Sequence, residues 1–179
     1  MKLKKNEVVV YDGFHQIIQF ETEVKGKTVK RELLVAKSAV AGIVIDEHSR
    51  IGLVKQYRPV VQRYTKEIPA GVLDKEGLTP MEVLIEELIE ECEIPKEDIL
   101  FIQKTTLPDY FMWIGSSNAT LSMYEVHVKT QINKQVYDNE VEEVEWVTLE
   151  EMKALIENGE ICDNKSILAY YYLLSKQNI

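Results

Sequence analysis

Hydrophobic and polar positions change period several times along the chain, and each change marks an element. From residue 8 to residue 37 the pattern is β-like. Val8-Val9-Val10-Tyr11 is a β-prone run, and Asp12-Gly13 is a turn signal. Ile17 to Val24 and Thr28 to Val35 flank Lys25-Gly26-Lys27 as the two arms of a hairpin. Two further apolar runs, Ala39 to Ile45 and Ile51 to Tyr57, are joined by the polar Asp46-Glu47-His48-Ser49-Arg50. Ile99 to Thr106, Ala119 to Val128 and Val141 to Val147 complete the strand candidates, with Leu107 to Phe111 read as a loop.

Between the strands, residues 67–94 read as a loop followed by one helix. Thr79 precedes Pro80, and Glu82 lies three residues after Thr79, which is a capping box with proline at the first helical position. At 100° per residue Met81, Leu84, Ile85, Leu88, Ile89 and Cys92 share one face, and Glu86, Glu87, Glu90, Glu91 and Glu93 share the other. Thr148 with Glu151 makes a second capping box, for a helix ending near Asn158-Gly159. Asp163 is placed to cap a last helix through Ile167, Leu168, Tyr171 and Leu174, with Tyr170 to Tyr172 available for packing.

Composition narrows the class. The chain has 179 residues, 45% of them hydrophobic, enough for a core and an accessory piece. Its net charge of −9 opposes nucleic-acid and anionic-membrane binding, so neither is expected as a partner. Two cysteines, Cys92 and Cys162, show no metal-ligand spacing and fit a reducing compartment. The run Val8-Val9-Val10 is too short for a signal sequence, and no apolar run approaches a membrane span, so a cytoplasmic protein is expected. The chain shows no internal repeat, phosphate-binding glycine loop or serine or cysteine nucleophile motif.

The chemistry concentrates on the acidic helix. No Lys or Arg lies between Thr79 and Ile94, so nothing within the helix relieves its like charges. Glu87, Glu90 and Glu91 have i, i+3, i+4 spacing, so their oxygens can converge as hard ligands for Mg²⁺ or Mn²⁺. The plain alternative is a solvated acidic face. Upstream, Pro59 biases Arg58 away from helix, which leaves Arg58 at a strand end. An Arg there can fork onto phosphate oxygens or serve as an ordinary surface charge.

Glu87-Leu88-Ile89-Glu90-Glu91 and Glu67-Ile68-Pro69-Ala70-Gly71 together resemble the Nudix hydrolases, in the branch that contains ADP-ribose pyrophosphatases. Gln56-Tyr57-Arg58 at this distance before Pro69-Ala70-Gly71 is typical of that branch. The pattern departs from the family box: one extra residue follows Gly71, Leu78 stands where Glu is usual, Glu86 where Arg is usual, and Glu93 where Gly is usual. In the family that Arg orients the metal-binding carboxylates.

The resemblance implies an α+β fold, an α/β/α sandwich around a mixed sheet (residues 38–179), preceded by a small antiparallel β-subdomain (residues 1–37) used for homodimerisation. It implies Mg²⁺ or Mn²⁺ held by Glu87, Glu90, Glu91 and the carbonyl of Ala70. Substrate contacts would come from Arg58, Arg31, Glu67 and Pro108, and catalysis from Glu140 and Glu90. Glu140 takes the base role by alignment of Trp146, with Asp138, Glu142 and Glu143 as competitors. Tyr110 or Phe111 is placed either to stack on a base or to pack in the core. The implied reaction is hydrolysis of the diphosphate of a nucleoside diphosphate derivative, ADP-ribose or another NDP-sugar. Three alternatives stay open: a Nudix enzyme acting on nucleoside triphosphates, a non-catalytic nucleotide-sugar-binding homologue, and an interaction module whose acidic helix meets a basic partner.

Overall fold

The computed structural model describes residues 4–136 and 141–177. In chain order its strands are β1 (Lys5–Asp12), β2 (Gln16–Val24), β3 (Lys27–Val35), β4 (Ala39–Asp46), β5 (Ile51–Arg58), β6 (Arg63–Glu67), β7 (Ala70–Val72), β8 (Ile99–Lys104), β9 (Tyr110–Phe111), β10 (Thr120–Val128), β11 (Lys134–Gln135) and β12 (Val141–Val147). The helices are α1 (Pro80–Cys92), α2 (Leu149–Glu157) and α3 (Asn164–Gln177). They form two compact units, one of residues 1–38 with 109–121 and one of residues 39–108 with 122–179.

The first unit is built on an antiparallel sheet in the order β1-β2-β3. The β2–β3 hairpin closes at Val24↔Lys27. Lys25 (φ 51°) and Gly26 (φ 77°) form its two-residue turn, and both take the positive φ that matches the twist of the arms. Residues 109–121 join this sheet: Leu34 N–H donates to the Ser116 carbonyl at 2.8 Å. β9 pairs with the first residues of β10, Phe111 opposite Thr120 and Tyr110 opposite Leu121.

In the second unit a mixed sheet runs β11-β12-β5-β4-β10-β8, with β6 beside β5 and β7 beside β4. Successive residues of a strand point to opposite faces, and β10 shows what covers each. Val126 and Val128 enter the core cluster with Leu84, Leu88 and Cys92 of α1. Glu125, one residue away, accepts hydrogen bonds from Tyr172 and Lys176 of α3. Helices therefore cover both faces, the α/β/α arrangement expected. Both capping boxes are present, at Thr79/Glu82 and Thr148/Glu151. Asp163 Oδ1 accepts the Ser166 N–H at 3.0 Å and opens α3. Tyr170 and Tyr172 are buried, and Tyr171 is exposed.

Two local readings change. The buried residues of α1 are Val83, Leu84, Leu88, Glu91 and Cys92, whereas Met81 and Ile89 are exposed. The helix is rotated relative to its apolar stripe, and a carboxylate takes a place that hydropathy gives to Ile89. The loops also hold more β structure than the pattern shows. β6 and β7 lie in the stretch leading to α1, β9 within the expected loop 107–111, and β11 beside β12. Each is a strand of five residues or fewer held by a neighbour already in place, and such pairing leaves little periodicity to read.

Candidate functional site

The site belongs to the second unit and starts at the β5–β6 hairpin. The register Val54↔Glu67, Gln56↔Thr65 and Arg58↔Arg63 puts these residues on one face of the ribbon. On it Arg58 meets Glu67 in a fork: Nε to Oε1 at 2.7 Å and Nη2 to Oε2 at 2.6 Å. The Thr65 hydroxyl donates to Glu67 Oε1 at 2.6 Å. Lys165, from the first turn of α3, donates to Glu67 Oε2 and, at 3.1 Å, to Asp163 Oδ1. Glu67 and Lys165 are both buried. Burial alone would raise the Glu67 pKa, but the bonds from Arg58, Lys165 and Thr65 outweigh it and bring it down to about 2.

The chain after Glu67 is pinned on both sides. Ile68 N–H donates to Ser166 Oγ at 2.9 Å, and the Pro69 carbonyl accepts Gly42 N–H at 3.0 Å. This carries Ala70 and Gly71 against α1. Ala70 N–H points to Glu91 Oε2 at 3.4 Å. Gly71 is a close approach in the strict sense, because a Cβ there would collide with Cγ, Cδ and Oε1 of Glu87.

Glu91 is only 9% exposed, and among the described residues no Lys or Arg forms an ion pair with it or with Glu87. Burial, then the charge of Glu87, pushes the Glu91 pKa up to about 8. Burial, then the charge of Glu90, raises that of Glu87 as well. The helix charge is relieved elsewhere, from outside the helix: Lys75 bonds Glu86 at 2.6 Å, and Lys134 lies 3.4 Å from Glu93.

Of the residues singled out in the sequence, Ala70, Glu87 and Glu91 come together, with Arg58 and Glu67 in the adjoining network. Glu90 is exposed, and Pro108 is exposed at the last position before residue 109. Among the described residues no group of three or more His, Cys, Asp or Glu side chains is arranged to hold one ion. The local donor set is thus two carboxylates and the Ala70–Gly71 backbone. It fits a hard divalent cation in chemistry, since both donors are carboxyl oxygens turned away from bulk water, and the charges of Lys75 near Glu87 and of Lys165 and Arg58 near Glu91 act on them from beyond ion-pair distance. Arg31 lies in the first unit, where it donates to the Lys30 carbonyl at 2.8 Å and lines a cavity of about 320 Å³ with Phe20 and Phe111. Glu140 and Asp138 lie outside the described residues. Of their competitors, Glu142 accepts the Tyr64 hydroxyl and Glu143 lies 3.8 Å from Lys55.

Sequence reasoning missed Lys165, Ser166 and Lys75. No local pattern marks the first two, because their partners Glu67 and Ile68 lie 98 residues away.

A model of the NUDIX domain matches residues 35–169. The chain belongs to the Nudix family. The Nudix match takes in the Glu67–Gly71 loop, all of α1 and the first turn of α3, so the Arg58–Glu67–Lys165 network and the Glu87–Glu91 pair lie inside it, and Arg31 lies before it. Among curated proteins, the chain is similar to an ADP-ribose pyrophosphatase of Bacillus subtilis (strain 168), with 30% identity over 85% of this chain and 80% of that one. It is also similar to a methanol dehydrogenase activator of Bacillus methanolicus, with 32% identity over 83% of this chain and 78% of that one. No helix of the described residues is long and apolar enough to cross a membrane.

Proposed function

We propose that this Nudix protein hydrolyses the diphosphate linkage of a nucleoside diphosphate derivative, ADP-ribose or another NDP-sugar, with Mg²⁺ or Mn²⁺ as cofactor. One observation carries the reading: the buried carboxylate of Glu91 stands beside Glu87, against the Ala70–Gly71 backbone and without a cation partner. Leaving a carboxylate in that position costs stability unless something neutralises it. With its pKa raised to about 8 the group carries a proton at neutral pH in the free protein, and a bound divalent ion would displace that proton and make use of the close approach of Gly71.

Glu87, Glu91 and the Ala70 carbonyl would hold the ion, with Glu90 reaching it from the exposed side of α1. A divalent ion there supplies charge against the diphosphate and lowers the pKa of a bound water. Arg58 is 42% exposed at its side chain, so an incoming phosphate can reach the guanidinium that Glu67 holds in place. The buried Glu67–Lys165 pair fixes that orientation. Glu140 is assigned as the base that accepts the proton of the attacking water. Water adds across the P–O–P bridge, its hydroxyl going to one phosphorus and its proton to the phosphate that leaves, so two phosphorylated fragments result. Arg31 and Pro108 are assigned to the nucleotide-sugar portion. The working form is a cytoplasmic homodimer formed through the N-terminal strands.

A second reading has support of its own: the similarity to a methanol dehydrogenase activator, together with the Glu86, Leu78 and Glu93 departures from the box. On it the chain binds a nucleotide-linked ligand in the service of a partner enzyme. The experiment that separates the two is product analysis after incubation of the full chain and Mg²⁺ with ADP-ribose, other NDP-sugars and nucleoside triphosphates. AMP and ribose 5-phosphate in equal amounts from ADP-ribose support hydrolysis. Binding without any cleavage, with Mn²⁺ as well, favours the second reading, and cleavage of triphosphates alone moves the substrate class.

A further inference from the structure

The positive charge that α1 lacks reaches it from the preceding turn. Glu86 occupies the position where the family box has Arg, and its Oε2 accepts a hydrogen bond from Lys75 Nζ at 2.6 Å. Lys75 lies four residues beyond Gly71, whose backbone rests against Glu87. Four residues further on, Thr79 caps α1 itself. The segment 71–79 is thus held to the helix at three points, and two of them, Glu86 and Glu87, are neighbours in sequence.

We infer that Lys75 is a positioning residue for the metal-binding glutamates: its ion pair with Glu86 clamps segment 71–79 onto α1 and keeps the Ala70–Gly71 backbone and the Glu87 side chain in one relative geometry. The inference rests on the metal site proposed above. Compared with the family box, the cation has moved from the helix to the turn, and an anion has taken its place on the helix. The side chains are 41% and 42% exposed, so the pair contributes little to folding. A purely structural role would therefore leave metal binding untouched. A direct field effect and a positioning effect differ in sign. Removing a cation beside a carboxylate face deepens its negative potential and would tighten binding of a divalent ion. Removing a clamp loosens the donor geometry and weakens binding.

The test is Mn²⁺ binding to the full chain, by calorimetry and by the electron paramagnetic resonance signal of free Mn²⁺. The proteins compared are wild type, Lys75→Met, Lys75→Arg, Glu86→Gln and the Lys75→Met/Glu86→Gln double variant. Lys75→Met and Glu86→Gln are each expected to weaken binding about two- to fivefold, the range of an exposed ion pair. Lys75→Arg should retain affinity, and the double variant should be no weaker than either single one, because both remove the same contact. Tighter binding by Lys75→Met, or additive losses in the double variant, would overturn the inference. Unchanged binding by Lys75→Met, with wild type binding normally, overturns this inference alone. Absence of Mn²⁺ binding by wild type overturns the metal site and the inference together.

Discussion

Gly71 and Glu87 share a space too small for a side chain on both: a Cβ at residue 71 would overlap Cγ, Cδ and Oε1 of Glu87. The atoms in the way belong to a flexible side chain rather than to backbone. Gly71→Ala should therefore fold and displace the Glu87 carboxylate instead of the helix. We expect its melting temperature in chelator to stay close to that of wild type, while its Mn²⁺ affinity falls at least tenfold, about 1.4 kcal/mol. Retained affinity in a folded Gly71→Ala protein would mean that Glu87 is not a ligand.

Acid stability reads a different part of the molecule. Glu125 is 2% exposed, and its carboxylate accepts bonds from Lys176, Tyr172 and Gln103. Burial raises its pKa, but those bonds outweigh it and hold the group at about 2, below the ordinary 4.5. A depressed carboxylate pKa adds stability that is fully present above the unfolded value and is lost as pH falls through the folded one. The loss should run from about pH 4.5 down to about pH 2. Lys176 is half exposed, so screening reduces the contribution to roughly 1–3 kcal/mol. Glu125→Gln should be less stable than wild type in urea at pH 7 by that amount, with the gap closing towards pH 2. A gap that does not change with pH would show that packing, and not charge, carries the effect.

The order of strands and helices was legible because long runs such as Ile17 to Val24 and Ala119 to Val128 keep one period, and because Thr79 and Thr148 announce their helices. The phase of α1 was not. Hydropathy puts Ile89 inside and Glu91 outside, whereas Glu91 is buried and Ile89 is 44% exposed. Packing of α1 against the Ala70–Gly71 strand, where Ala70 N–H points to Glu91 Oε2 at 3.4 Å, sets the phase of the helix, and local hydropathy carries no record of it. The i, i+4 spacing of Glu87 and Glu91 was readable from helix geometry, and the strand-end position of Arg58 from its place before Pro59. The Glu67–Lys165 and Glu86–Lys75 pairs were not, since each joins two elements whose meeting only the folded chain determines.

β1 is an edge strand with an apolar surface. Val8, Val9, Val10 and Tyr11 are each about half exposed, and Phe14 is 97% exposed. Such an edge invites a partner strand or a second copy. For the dimer proposed above, light scattering should return twice the chain mass. Val9→Lys/Tyr11→Lys should return the single mass without loss of helical circular dichroism. A monomeric wild type at micromolar concentration would contradict dimerisation through these strands.

In the proposed reaction, hydrolysis depends on a divalent ion held by Glu87 and Glu91. Its most direct measurement is the initial rate of ADP-ribose cleavage as Mg²⁺ is titrated, for wild type and Glu91→Gln side by side. Gln keeps the shape of the side chain and removes the charge. We expect a saturable Mg²⁺ dependence in wild type, no turnover in excess chelator, and a loss of about 100-fold or more in a Glu91→Gln protein that remains folded, the scale expected when a catalytic charge is removed. Wild-type turnover that persists in chelator, or a Glu91→Gln protein that cleaves at the wild-type rate with the same Mg²⁺ requirement, would contradict it.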